Sequence, residues 1–75
     1  MDYKNIFSSR LFECRKKCSL SQKNVADILG VSSAAVTMME RGKRSPSFEV
    51  LIALADYFDV SLDYLVGRSD DPARH

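Results

Sequence analysis

The sequence predicts an all-α fold of five short helical segments. Three observations carry this reading. Apolar residues recur at intervals of three and four, the helical period. Serine and glycine stand where helices start and stop. There is no alternating run of β-branched residues and no Asn-Gly or Asp-Gly hairpin signal. With 75 residues the chain is one domain at most. A chain this short buries a modest share of its surface, so it needs good helix packing, a partner or staples.

The first segment runs from about Ile6 to Lys17, with Ile6, Phe7, Leu11, Cys14 and Cys18 at helical spacing. Arg15, Lys16 and Lys17 fall in its last turn, where cations suit the helix dipole. Ser21 caps the second segment, Gln22 to Leu29, although Asn24 stands where a full capping box has Glu or Gln. Val25, Ala26 and Leu29 face inward, and Gly30 is the left-handed stop. Ser32 caps the third segment, Ser33 to Glu40, with Val36 and Met39 inward. Arg41-Gly42-Lys43-Arg44 ends it. The fourth segment begins at Ser45-Pro46-Ser47, with either serine as cap. Phe48, Leu51, Leu54, Ala55 and Phe58 form its expected buried stripe. Ser61 caps the fifth segment, Leu62 to Val66, and Gly67 closes it. Residues 68–75 are polar and read as a disordered tail or a linker, which puts the folded domain at 1–67.

Charge is divided along the chain. Residues 1–44 hold nine Lys/Arg against four Asp/Glu, a balance of +5, and residues 45–75 hold two against six, a balance of −4. Such a division presents a basic face to a polyanion and an acidic face away from it. Cys14 and Cys18 lie one turn apart, where a disulfide would be strained and would close a tiny loop, so reduced thiols are expected. They form no zinc set, and no metal or cofactor is expected. His75, the only histidine, sits at the end of the polar tail and is expected in solvent. No phosphate-binding glycine loop, metal cluster or nucleophile beside a histidine is present in the sequence, and an enzyme is not expected. No apolar run spans a membrane and the N-terminus opens no signal segment, so a cytoplasmic location is expected.

Residues 21–41 carry the functional signal. Two short helices flank a turn centred on Gly30, with small Ala26 where they approach and Val31 and Val36 at their crossing. This spacing describes a helix-turn-helix, and together with the charge division it points to DNA. The chain resembles the phage repressor and Cro-like (XRE) family through Leu20-Ser21-Gln22, Val25-Ala26, Leu29-Gly30-Val31-Ser32, Val36, Glu40-Arg41-Gly42-Lys43, Pro46-Ser47, Leu51, Leu54-Ala55 and Val60-Ser61 with Asp63, Leu65 and Gly67. The resemblance covers about residues 5–67.

The resemblance implies a compact, lambda-repressor-like five-helix bundle. It implies a transcriptional regulator, most often a repressor, that binds double-stranded DNA as a homodimer on a palindromic operator. The third helix enters the major groove, where Ser33, Ala34, Thr37 and Met38 face base edges. Gln22 and Ser32 are expected at phosphates, with Arg41, Lys43 and Arg44 after the recognition helix and Arg10 from the first helix. Arg15 and Glu40 match a structural ion pair between the first and third helices. Ser33 and Ala34 stand where the family often has Gln, Asn or Arg. Direct readout should therefore be modest and biased to A·T steps, through methyl contacts of Ala34, Thr37 and Met38. Tyr57 and Tyr64, with Val66, are surface aromatics or a dimer seam, the seam being favoured. No small-molecule ligand is evident.

Overall fold

A computed structural model describes residues 2–74. Five α-helices follow in order: α1 Tyr3–Lys17, α2 Gln22–Leu29, α3 Ser33–Glu40, α4 Phe48–Phe58 and α5 Leu62–Val66. There is no strand among the described residues. Each helix starts on a side-chain oxygen that accepts an N–H of the first turn: Asp2, Ser21, Ser32, Ser47 and Ser61. His75, expected in solvent, lies outside the described residues.

Three starts refine the expectations. α1 begins at Tyr3, before its first periodic apolar residue, because Asp2 accepts from the Asn5 N–H and from the Asn5 side-chain amide. Ser47, not Ser45, caps α4. The capping box of α2 is complete despite Asn24, whose shorter side chain still accepts from the Ser21 N–H at 3.0 Å while Ser21 accepts from the Asn24 N–H at 3.0 Å.

The core is built from one face of every helix. Phe7, Leu11, Val25, Ala26, Val36, Met39, Leu54, Ala55, Val60 and Leu65 are all buried. α1 lies against α5 and α3, α2 against α3 and α4, and α4 against α5. Burying these side chains supplies the main favourable term in folding, about 25 cal/mol per Å² of apolar surface removed from water. Phe48 corrects the expected α4 stripe: it is 73% exposed. It is the first residue of α4, one turn beyond the point where Leu51 meets the core.

The polar C-terminal stretch, expected to be disordered or a linker, folds back on the body as far as Arg74. The Ser61 N–H donates to the Pro72 carbonyl at 3.0 Å. Arg74 pairs with Asp56 at 2.7 Å and reaches Asp59 at 3.6 Å. Asp56 of α4 and Asp59 just beyond it thus supply partners that composition of the tail alone does not reveal. Cys14 is buried and Cys18 exposed, and both are free thiols. Burial pushes the Cys14 thiol pKa up.

Candidate nucleic-acid interface

α2 and α3 are set against each other by the turn at Gly30. Gly30 adopts φ 70°, and the Val31 N–H donates back to the Ala26 carbonyl at 3.0 Å. Ser32 then opens α3 by accepting from the Ala35 N–H at 3.1 Å. Ala35, Val36 and Met39 point into the core. Ser33, Ala34 and Met38 are exposed and Thr37 is half-buried. Spacings of one, four and five place these four on one face of α3, opposite its core face. Arg41, Lys43 and Arg44 are exposed beyond its C-terminus, where the Lys43 N–H donates to the Met38 carbonyl at 2.9 Å. This bond ties the basic segment to the end of α3, and its cations suit the negative end of the helix.

Beneath this face runs a polar chain. Arg15 grips Glu40 with two parallel bonds, Nε to Oε2 at 2.6 Å and Nη2 to Oε1 at 3.0 Å. Its remaining nitrogen donates to the Leu20 carbonyl at 2.9 Å. Side-chain exposures of 11% and 6% make this a largely buried pair joining α1 to α3. The hydrogen bonds to Glu40 raise the Arg15 pKa, so the guanidinium is permanently charged. Gln22 extends the chain: its Nε2 donates to Glu40 Oε1 at 3.1 Å, and its Oε1 accepts from the Thr37 hydroxyl at 2.7 Å. By sequence, Gln22 and Thr37 are separate contacts, one to phosphate and one to a base edge. Their link depends on how α2 crosses α3, and residue identities carry no signal for it.

Two expectations meet a different arrangement. Arg10 is not gathered with the α3 face. Its guanidinium lies 4.0 Å from the Tyr64 ring centroid and pairs with Asp70 at 2.9 Å, because α1 packs along α5 there. Tyr64 is correspondingly half-buried under Arg10, whereas Tyr57 stays 49% exposed. The described residues hold no group of three or more side chains suited to a metal. No helix among them is long and apolar enough to cross a membrane.

A helix-turn-helix family model matches residues 11–65. The chain is 45% identical over 67 residues to the uncharacterized HTH-type transcriptional regulator YqaE of Bacillus subtilis, covering 88% of this chain and 58% of that protein. It is 46% identical over 59 residues to the HTH-type transcriptional regulator AnsR of the same organism, covering 79% and 51%. The chain thus spans little more than half the length of these relatives. Among solved structures, the P22 c2 repressor protein in complex with a synthetic operator superposes with a TM-score of 0.79 at 31% identity, covering 85% of this chain and 97% of that one.

Proposed function

The chain belongs to the helix-turn-helix family of phage repressors and Cro-like regulators, and from that premise we propose that it is a sequence-specific DNA-binding repressor that occupies a palindromic operator as a homodimer. The observation that carries this reading is the outward strip of α3. Ser33, Ala34, Thr37 and Met38 form a face free of charge, continued by three exposed cations at Arg41, Lys43 and Arg44. A face of this kind suits a groove floor flanked by phosphates. The similar P22 c2 repressor is in complex with a synthetic operator, which supports operator DNA as the partner.

In this reading α3 lies in the major groove. Ser33 offers a hydroxyl, and Ala34, Thr37 and Met38 offer methyl groups to thymine. Gln22 gives one amide hydrogen to Glu40 and keeps the other for a phosphate oxygen. Ser32, Arg41, Lys43 and Arg44 bind further phosphates. Arg10 is a further phosphate contact in this reading, and it would exchange the fully exposed Asp70 carboxylate for a phosphate oxygen. Residues 1–67 form the binding unit and the folded-back tail is accessory to it. The dimer is proposed on α4, where Phe48 and Ile52 stand four apart with 73% and 36% exposure, an apolar edge that a second copy would cover.

Selection from random duplex DNA at near-physiological salt tests the proposal. A two-fold-symmetric site with half-sites about one helical turn apart is expected. Binding without enrichment, lost as salt rises, overturns it.

A further inference from the structure

We infer that the Thr37 hydroxyl meets DNA only as a hydrogen-bond acceptor, because the Gln22 amide and the Ser33 carbonyl draw its single proton inward. A base bonded to that hydroxyl must then offer an amino group, as adenine or cytosine does, and the Thr37 methyl stays available for apolar contact. This rests on the proposed docking of α3 and deepens it.

The direction of the polar chain follows from donor and acceptor chemistry. Arg15 has only protons to give, so Glu40 accepts twice as a carboxylate. Glu40 then has no proton to offer Gln22, so the Gln22 amide must turn its nitrogen toward Glu40 at 3.1 Å. Its oxygen is left facing Thr37, and the Thr37 hydroxyl must donate across 2.7 Å. The hydroxyl's other hydrogen-bond partner among the described residues, the Ser33 carbonyl at 3.1 Å, is an acceptor too. Every protein partner of Thr37 therefore demands its proton, and only lone pairs remain for the groove. Adenine N6 and cytosine N4 can donate to those lone pairs, while guanine O6 and thymine O4 can only compete for the proton. Gln22 is thus a positioning residue: it acts on base choice through Thr37, apart from any phosphate it holds.

The test uses the duplex enriched by the selection and all its single-pair variants. Binding is measured for the unmodified protein and for Thr37→Val, Thr37→Ser and Gln22→Met, each first shown to be folded by circular dichroism. Thr37→Val should flatten base preference at one pair per half-site. There the unmodified protein and Thr37→Ser should favour adenine or cytosine on one strand by roughly two- to tenfold, the range of one net hydrogen bond. Replacing that adenine by 2-aminopurine, which still pairs with thymine but lacks the major-groove amino group, should weaken the unmodified protein by the same factor and leave Thr37→Val unaffected. For cytosine, 2-pyrimidinone serves the same purpose. Gln22→Met should lower affinity for all sequences and also narrow the preference at this pair. A preference for guanine or thymine that Thr37→Val removes, or no pair sensitive to Thr37→Val, overturns the inference and leaves the operator reading standing. An unaltered preference in Gln22→Met overturns the part assigned to Gln22. Failure to enrich any sequence removes the docking itself, and the inference falls with it.

Discussion

Glu40→Ala should be among the most damaging single substitutions in this domain. The change deletes two bonds from Arg15, at 2.6 and 3.0 Å, and one from Gln22 at 3.1 Å. Arg15 keeps one hydrogen bond, to the Leu20 carbonyl, and the Phe12 ring, its centroid 5.4 Å away, with its side chain 11% exposed. Water cannot readily replace the lost carboxylate, so the cost is that of a stranded charge, about 3–5 kcal/mol. The Lys23–Asp27 pair, with side chains 76% and 66% exposed, sets the contrast, since exposed pairs contribute about 0.2–1 kcal/mol. A domain of this size holds on the order of 5 kcal/mol in total, so Glu40→Ala should sit near its unfolding threshold. Thermal and urea melts followed by circular dichroism read this directly. A fall in Tm of roughly 12 °C or more is expected, against a few degrees at most for Asp27→Ala. Joint replacement by Arg15→Met and Glu40→Leu should recover much of the loss, because an apolar pair removes both charges together. A loss below about 1 kcal/mol for Glu40→Ala would refute the reasoning and class the pair with exposed ones.

Lys43→Ala and Arg44→Ala should each weaken binding to all duplexes alike and lower the slope of log affinity against log salt by about 0.9, as titration over a range of salt would show. Ser33→Ala should instead redistribute preference among operator variants with the slope unchanged, which a competition assay separates from the first pattern. Gly67→Ala should cost more than Gly30→Ala in a melt. Both glycines have positive φ, but a Cβ at Gly67 would lie 2.5 Å from Ile6 Cγ2, whereas one at Gly30 meets nothing within 4 Å. Iodoacetamide should modify Cys18 well before Cys14, as mass spectrometry can follow. Burial raises the Cys14 pKa, so at a given pH fewer Cys14 thiolates exist. The same shift keeps Cys14 neutral in the fold while the unfolded thiol ionises, so stability is unaffected below the ordinary thiol pKa and declines as pH rises through and above it.

Much of the fold was legible because the punctuation is local. Ser21 with Gly30, Ser32 with Glu40, and Ser61 with Gly67 bound three helices at the residues observed. What escaped was set by neighbours distant in sequence. Phe48 belongs to its stripe by spacing, yet it lies past the edge of the core. The tail is polar enough to stay in solvent, but Asp56 and Asp59 on and beside α4 hold Arg74. Arg10 is a surface cation by sequence and a lid on Tyr64 in the fold. At the candidate interface, the outward residues of α3 follow from helical period alone. The hydrogen-bond direction through Gln22 does not, since it requires Glu40, Gln22 and Thr37 to meet at one helix crossing.

The helix caps sort the molecule by how each helix end treats an approaching anion. α4 and α5 carry Glu49 and Asp63 in their first turns, which offset the positive ends of their own dipoles. α2 and α3 open on neutral serines and have no acid in the first turn. α2 even places Lys23 there, a cation at the end where cations are unfavourable. The two helices of the candidate interface are thus left electrostatically unfinished in the free protein, and a bound phosphate would complete them. Stability forgone at those two ends becomes affinity held in reserve, so Lys23→Glu, which puts an acid in the first turn of α2, should make a sturdier protein and a poorer binder.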